Sequence, residues 1–150
     1  MQQSRVSNAT LIRFVVAVAL FAVGCARTPP EQAVRQQVEA MQAAIHARDA
    51  GAIEDLLAGD FIGNDGIDRR GARQLAAAIF LRHRSVGANL GAVSVELRGQ
   101  ADAMAKFSVL ATGGSGGVLP ESGQLYRVET GWRLVDGEWK MLNARWEPSP

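Results

Sequence analysis

The sequence has one cysteine, two histidines and one tyrosine among its 150 residues. A lone cysteine excludes an internal disulfide. Two isolated histidines without a second cysteine leave zinc without a ligand set, so no metal is expected, and no motif calls for a cofactor. No basic stripe is interleaved with aromatics, which argues against nucleic acid as a partner. There is no internal repeat, and the one low-complexity stretch is "GGSGG", Gly113 to Gly117. The longest apolar run, Phe14 to Val23, is about half of the roughly 20 residues a membrane-spanning helix needs.

That short run has the flanks of a secretory signal. Arg5 and Arg13 supply the positive start, Phe14 to Val23 the apolar middle, and small residues lead to "AVGC". This tetrapeptide resembles the lipobox of bacterial lipoproteins, with Ala22 where leucine is commonest. The resemblance implies removal of residues 1–24, acylation of Cys25 as the new first residue, and a membrane anchor made of several acyl chains, which hold firmly where one binds marginally. The expected location is the cell envelope, facing the periplasm, with Ala26 favouring the outer membrane. The remaining chain carries 14 basic and 15 acidic residues. It is long enough for one domain, expected over 29–147 and joined to the anchor by the short linker 25–28.

"TPPE" reads as a capping box, with Thr28 at the N-cap and Pro29 at the first helical position. Val34, Val38, Met41 and Ile45 then recur with helical spacing up to Arg48. Asp49 caps a second helix over Ala50 to Ala58, ended by Gly59, and a third helix runs from about Arg69 to Arg84 with Ala72, Leu75, Ala76 and Ile79 turned inward. Beyond Gly87 the period becomes two: Val93, Val95 and Leu97 alternate with polar residues, and Ala103 to Ala111 pairs back across a turn near Gln100. Gly113 to Gly123 reads as a loop.

The strongest local signal is "LYRVETGWRLVDGEWKMLNARW", where Asp136-Gly137 suits a two-residue type I′ turn. Counting from that turn puts Leu134, Trp132, Thr130, Val128 and Tyr126 opposite Trp139, Met141, Asn143, Arg145 and Glu147 on one inner face. Trp132 and Trp139 close a core near the turn, while Trp146 falls on the outer face. Farther from the turn the inner face becomes polar, and polar groups facing inward need partners or a cavity.

Three helices followed by a curved sheet that ends in "GEWKM", with "RDAGAIEDLLAGDF" and "RRGARQL" before it, resemble the nuclear transport factor 2-like superfamily, which includes ketosteroid isomerase. The resemblance implies an α+β cone, with about three N-terminal helices packed in a curved antiparallel sheet and a pocket at its wide end. It places Asp65 at the position of the isomerase's general base. The position of its oxyanion tyrosine holds Met41, and that of its protonated acid falls at Thr130 or Gly131, so the isomerase activity is not carried over.

The expected ligand contacts are Tyr126, Thr130, Asn143 and Arg145, around a small molecule or peptide that is partly apolar and partly anionic. Arg145 has the alternative of an ion pair with Asp60 or Glu147. Asp65 within "NDG" suits either a turn or a base, and His83 either the end of a helix or the pocket. Two other functions stay open: an isomerase, dehydratase or hydrolase using Asp65 or His83, and a homodimer formed through the outer sheet face.

Overall fold

The computed structural model of the protein describes residues 27–117 and 122–150. The expected leader 1–24 and Cys25 lie outside these residues. Among the described residues no helix is long and apolar enough to cross a membrane.

Helix α1, Pro30–His46, buries Val34 and Val38 and half-buries Met41 and Ile45, as the helical spacing predicts. It starts one residue later than expected. Pro29 occupies the N-cap and no side chain caps the turn. Thr28 is one residue too far away, and the two prolines leave fewer first-turn N–H groups in need of a cap. Helix α2, Ala50–Leu56, is capped by Asp49, whose Oδ1 accepts from the Ala52 N–H at 2.9 Å. It ends short of Gly59, because Leu57 turns extended and opens β1, Leu57–Ile62. A 3₁₀ turn at Asn64–Gly66 leads to helix α3, Arg69–Arg82, capped by Asp68. Arg48, in the turn after α1, donates to the carbonyls of Phe80 and Arg84 and ties that turn to the end of α3.

The remaining strands are β2 (Ser85–Leu90), β3 (Ser94–Arg98), β4 (Asp102–Gly114), β5 (Ser122–Val135) and β6 (Glu138–Pro148). The sheet runs β1-β6-β5-β4-β2, and β3 shares the outer edge of β4 with β2. All pairings are antiparallel except β1 with β6, which makes the sheet mixed. The architecture is α+β, with three helices inside an open curved sheet. Strand β2 was not foreseen, and β4 and β5 extend into the glycine-rich segment expected to be loop.

The hairpin turn forms as expected, with Asp136 at φ 50° and Gly137 at φ 84°. From Val135↔Glu138 to Trp132↔Met141 the pairing is the predicted one. It then slips: Gly131 faces Asn143 and Thr130 faces Ala144, so Leu142 is an extra residue, a β-bulge. Because side chains alternate, one extra residue reverses every later position on β6. Ala144 and Trp146 turn inward, and Asn143, Arg145 and Glu147 turn out. The energetics favour this. An inward arginine without a partner would cost several kcal/mol, whereas one lost ladder bond costs about 1 kcal/mol.

Val34, Val38, Leu57, Phe61, Trp132, Trp139 and Met141 form the main core at the turn end of the sheet. Ala44, Ile53 and Phe80 form a smaller one where the three helices meet.

Candidate functional site

Between the helices and the concave face of the sheet lies a cavity of about 430 Å³. Helix α1 contributes Val38, Met41, Gln42 and Ile45; α3 contributes Ala72, Leu75, Ala76, Ile79 and Phe80. The sheet supplies Val86, Ala88 and Leu90 from β2, Phe107, Val109 and Ala111 from β4, Tyr126, Val128 and Thr130 from β5, and Met141, Ala144 and Trp146 from β6. Leu75 and Ile79 line this space and are still 45% and 36% exposed, so they form its rim.

Four lining side chains carry polar groups, and two of these are already engaged. Thr130, 2% exposed, donates from Oγ1 to the Ala105 carbonyl at 3.3 Å and accepts from Trp132 Nε1 at 2.8 Å. Its hydroxyl thus serves mainly to satisfy the buried indole. Gln42 donates from Nε2 to the Ala88 carbonyl at 2.7 Å, which leaves its Oε1 free to accept. Among the described residues the Tyr126 hydroxyl and the Trp146 Nε1 make no hydrogen bond. Among the described residues that line it there is no carboxylate, imidazole, thiol, amine or guanidinium.

Trp146 reaches the cavity because of the bulge and is held there by Asn64. The Asn64 Nδ2 donates to the Trp146 carbonyl at 2.8 Å, and its Oδ1 accepts from the Trp146 N–H at 3.2 Å. This side-chain amide continues the β1–β6 ladder where the backbone of β1 has turned away.

The expected site residues therefore divide. Tyr126 and Thr130 face the cavity. Asn143 and Arg145 do not: they join Asp65, Glu129 and Glu147 in a second hollow beside the bulge, which shares Thr130, Ala144 and Trp146 with the cavity. Arg145 makes no ion pair there among the described residues; Asp60, one of its expected partners, bridges Arg133 at 3.2 Å instead. Three carboxylates stand near that arginine, and although Glu129 is bridged to Lys106 at 3.3 Å, the balance in the hollow still opposes an anionic ligand. Asn143 lies flat over Gly131, accepting from its N–H at 3.1 Å, and a Cβ on Gly131 would come within 2.6 Å of the amide. Asp65 is exposed, at φ 56° within the turn. His83 is the C-cap of α3, beside Gly113 and outside the lining. The Nε2 of His46 lies 2.9 Å from the Ala88 carbonyl. Among the described residues no three His, Cys, Asp or Glu side chains cluster to hold a metal.

Trp146 and Gln42 were not expected in the cavity. A sign of the first was present in the sequence: Trp139 and Met141 are apolar at odd positions, Ala144 and Trp146 at even ones, and such a change of parity marks a bulge.

No protein-family model and no curated protein matches the chain. Solved structures do. A candidate scytalone dehydratase from Novosphingobium aromaticivorans is 13% identical, with a TM-score of 0.68 over 79% of this chain and 83% of its own. A candidate dehydratase of the NTF2-like family from Streptomyces avermitilis is 18% identical, with a TM-score of 0.67 over 80% and 96%. An NTF2-like protein with a cystatin-like fold, also from N. aromaticivorans, is 12% identical, with a TM-score of 0.63 over 95% and 90%. At these identities the likeness is one of fold: the chain has the cystatin-like cone of the nuclear transport factor 2-like proteins.

Proposed function

We propose that the protein is a binding module that holds an apolar small molecule in its cone, displayed from an envelope membrane by lipid on Cys25. The observation that carries the binding reading is the cavity lining, apolar throughout except for Gln42, Tyr126, Thr130 and the Trp146 indole. Such a site favours a ligand by burial and orients it with a few hydrogen bonds. Proton-transfer chemistry asks for a positioned acid or base within reach of the ligand. Asp65 and His83, the two acid–base candidates, stand outside the lining, which favours binding over the dehydratase chemistry named for two of the similar structures.

The test is an apolar fluorophore such as N-phenyl-1-naphthylamine, whose emission rises in a dry site. Binding is expected, weakened about tenfold by Val109→Trp, which fills space opposite Tyr126. No binding, or binding indifferent to that change, overturns the reading. Turnover of a carbonyl or ester substrate that is abolished by Asp65→Asn or His83→Ala would establish the enzyme instead.

One observation favours a second reading, a homodimer through the sheet. Leu110 and Leu125 form a cross-strand pair on the outer face, each 42% exposed. They, and not the inward Trp146, would centre such an interface. Light scattering should then show a dimer that Leu125→Lys disperses.

A further inference from the structure

Two stripes of cavity-lining residues run outward and each ends in an arginine. On α3, Leu75 and Ile79 are followed on the same helix face by Arg82, seven and three residues on. Strand β2 carries Leu90, Ala88 and Val86 into the cavity and begins at Ser85, and Arg84 is the residue just before it. His83 joins the two stripes. Both arginines are exposed, and among the described residues neither makes an ion pair.

The charge around them is one-sided. From Arg69 to Leu90 there is no aspartate or glutamate. Arg69 and Arg73, at the other end of α3, are answered by Asp55 and Glu54 of α2, at 3.8 and 2.9 Å. Arg82 and Arg84 have no such answer. The Arg84 side chain lies beside the glycine-rich segment, within 3.4 Å of where a Cβ on Gly116 would be, and Glu121 of that segment lies outside the described residues.

We infer that the ligand is an anionic amphiphile, with its apolar tail in the cavity and its charged head at the rim on Arg82 and Arg84. The inference rests on the binding reading above and names its ligand class. A neutral interior rejects a buried charge, while two guanidinium groups that have no ion pair among the described residues stand where the apolar stripes end and supply paired N–H donors for a carboxylate or phosphate. A free fatty acid and a lysophospholipid share this chemistry.

The experiment uses the full-length chain carrying Cys25→Ser and follows displacement of N-phenyl-1-naphthylamine by dodecanoate, by dodecanol and by lauroyl lysophosphatidylglycerol. Dodecanoate or the lysolipid should displace the probe at about fivefold lower concentration than dodecanol at low ionic strength, a discount for solvent exposure included. The preference should shrink with salt and vanish in Arg82→Gln/Arg84→Gln, which should still take up the probe and dodecanol as the parent does. Whichever anion is stronger identifies the head group. Equal displacement by dodecanol and both anions, or a preference that survives the double substitution, overturns the amphiphile and leaves the binding reading standing. A probe that never binds removes both.

Discussion

Asn64 makes the two hydrogen bonds that keep the end of β6 in place, so its loss has consequences far from its own turn. Asn64→Ala should cost about 2 kcal/mol in urea unfolding, two bonds at about 1 kcal/mol each. It should also release Trp146 towards water, seen as a red shift of tryptophan emission. Thr130 gives the complementary case. Thr130→Val leaves the Trp132 Nε1 buried without its acceptor, and about 2 kcal/mol of stability should be lost. Because the hydroxyl is turned to Trp132 and Ala105, fluorophore affinity should change less than twofold, within about 0.4 kcal/mol. A large loss of affinity with little loss of stability would instead make Thr130 a ligand contact. At this scale the alternation of β5 made Tyr126, Thr130 and Trp132 readable as inward. Asn143 and Arg145 were misread because their orientation depends on the register of a neighbouring strand, which no local rule records.

Among the elements, the helices and the Asp-Gly hairpin were legible because caps, periodicity and turn chemistry are written locally. The strand "SVGANL" was not, since its glycine and asparagine depress strand propensity and its pairing with β4 is a tertiary fact. The bulge at Leu142 decides what the cavity is made of. Deleting Leu142 would remove the extra residue and leave Asn143 opposite Gly131 and Ala144 opposite Thr130, so Trp146 should stay turned in and Arg145 out. Fluorophore binding should therefore survive the deletion, changed less than about twofold, and its loss would show that the bulge itself shapes the cavity. Near the hairpin turn, Lys140 hydrogen-bonds Glu138 at 2.8 Å and holds its carboxyl below the usual range. The small stabilisation from that pair is present above the ordinary carboxylate pKa and fades as the pH falls through the lowered one.

For the whole molecule, the cone was implied by the order of helices and strands, and the cavity followed from it. Its closing details, such as the apolar interior, depend on which residues distant segments bring together. The anchoring proposal belongs to this scale. Cys25→Ser should move the protein from the membrane to the soluble envelope fraction, and intact mass should show that the acyl groups are lost. A wild-type mass without lipid would end that proposal.

Strand β6, which follows β1 to β5 in the chain, lies between β1 and β5, not at an edge. Until Glu138–Pro148 has been synthesised, β1 has no neighbour in the sheet and the concave face lacks its Met141, Ala144 and Trp146 wall. Strands β3, β4 and β5 pair with their neighbours along the chain, but β1 can join the sheet only through β6, across most of the domain's length, and such long-range pairing forms slowly. Biogenesis then includes an interval in which the apolar lining is open to any chaperone or export factor it meets. A polypeptide that stops short of Glu138 should not fold partway but remain a target for proteolysis.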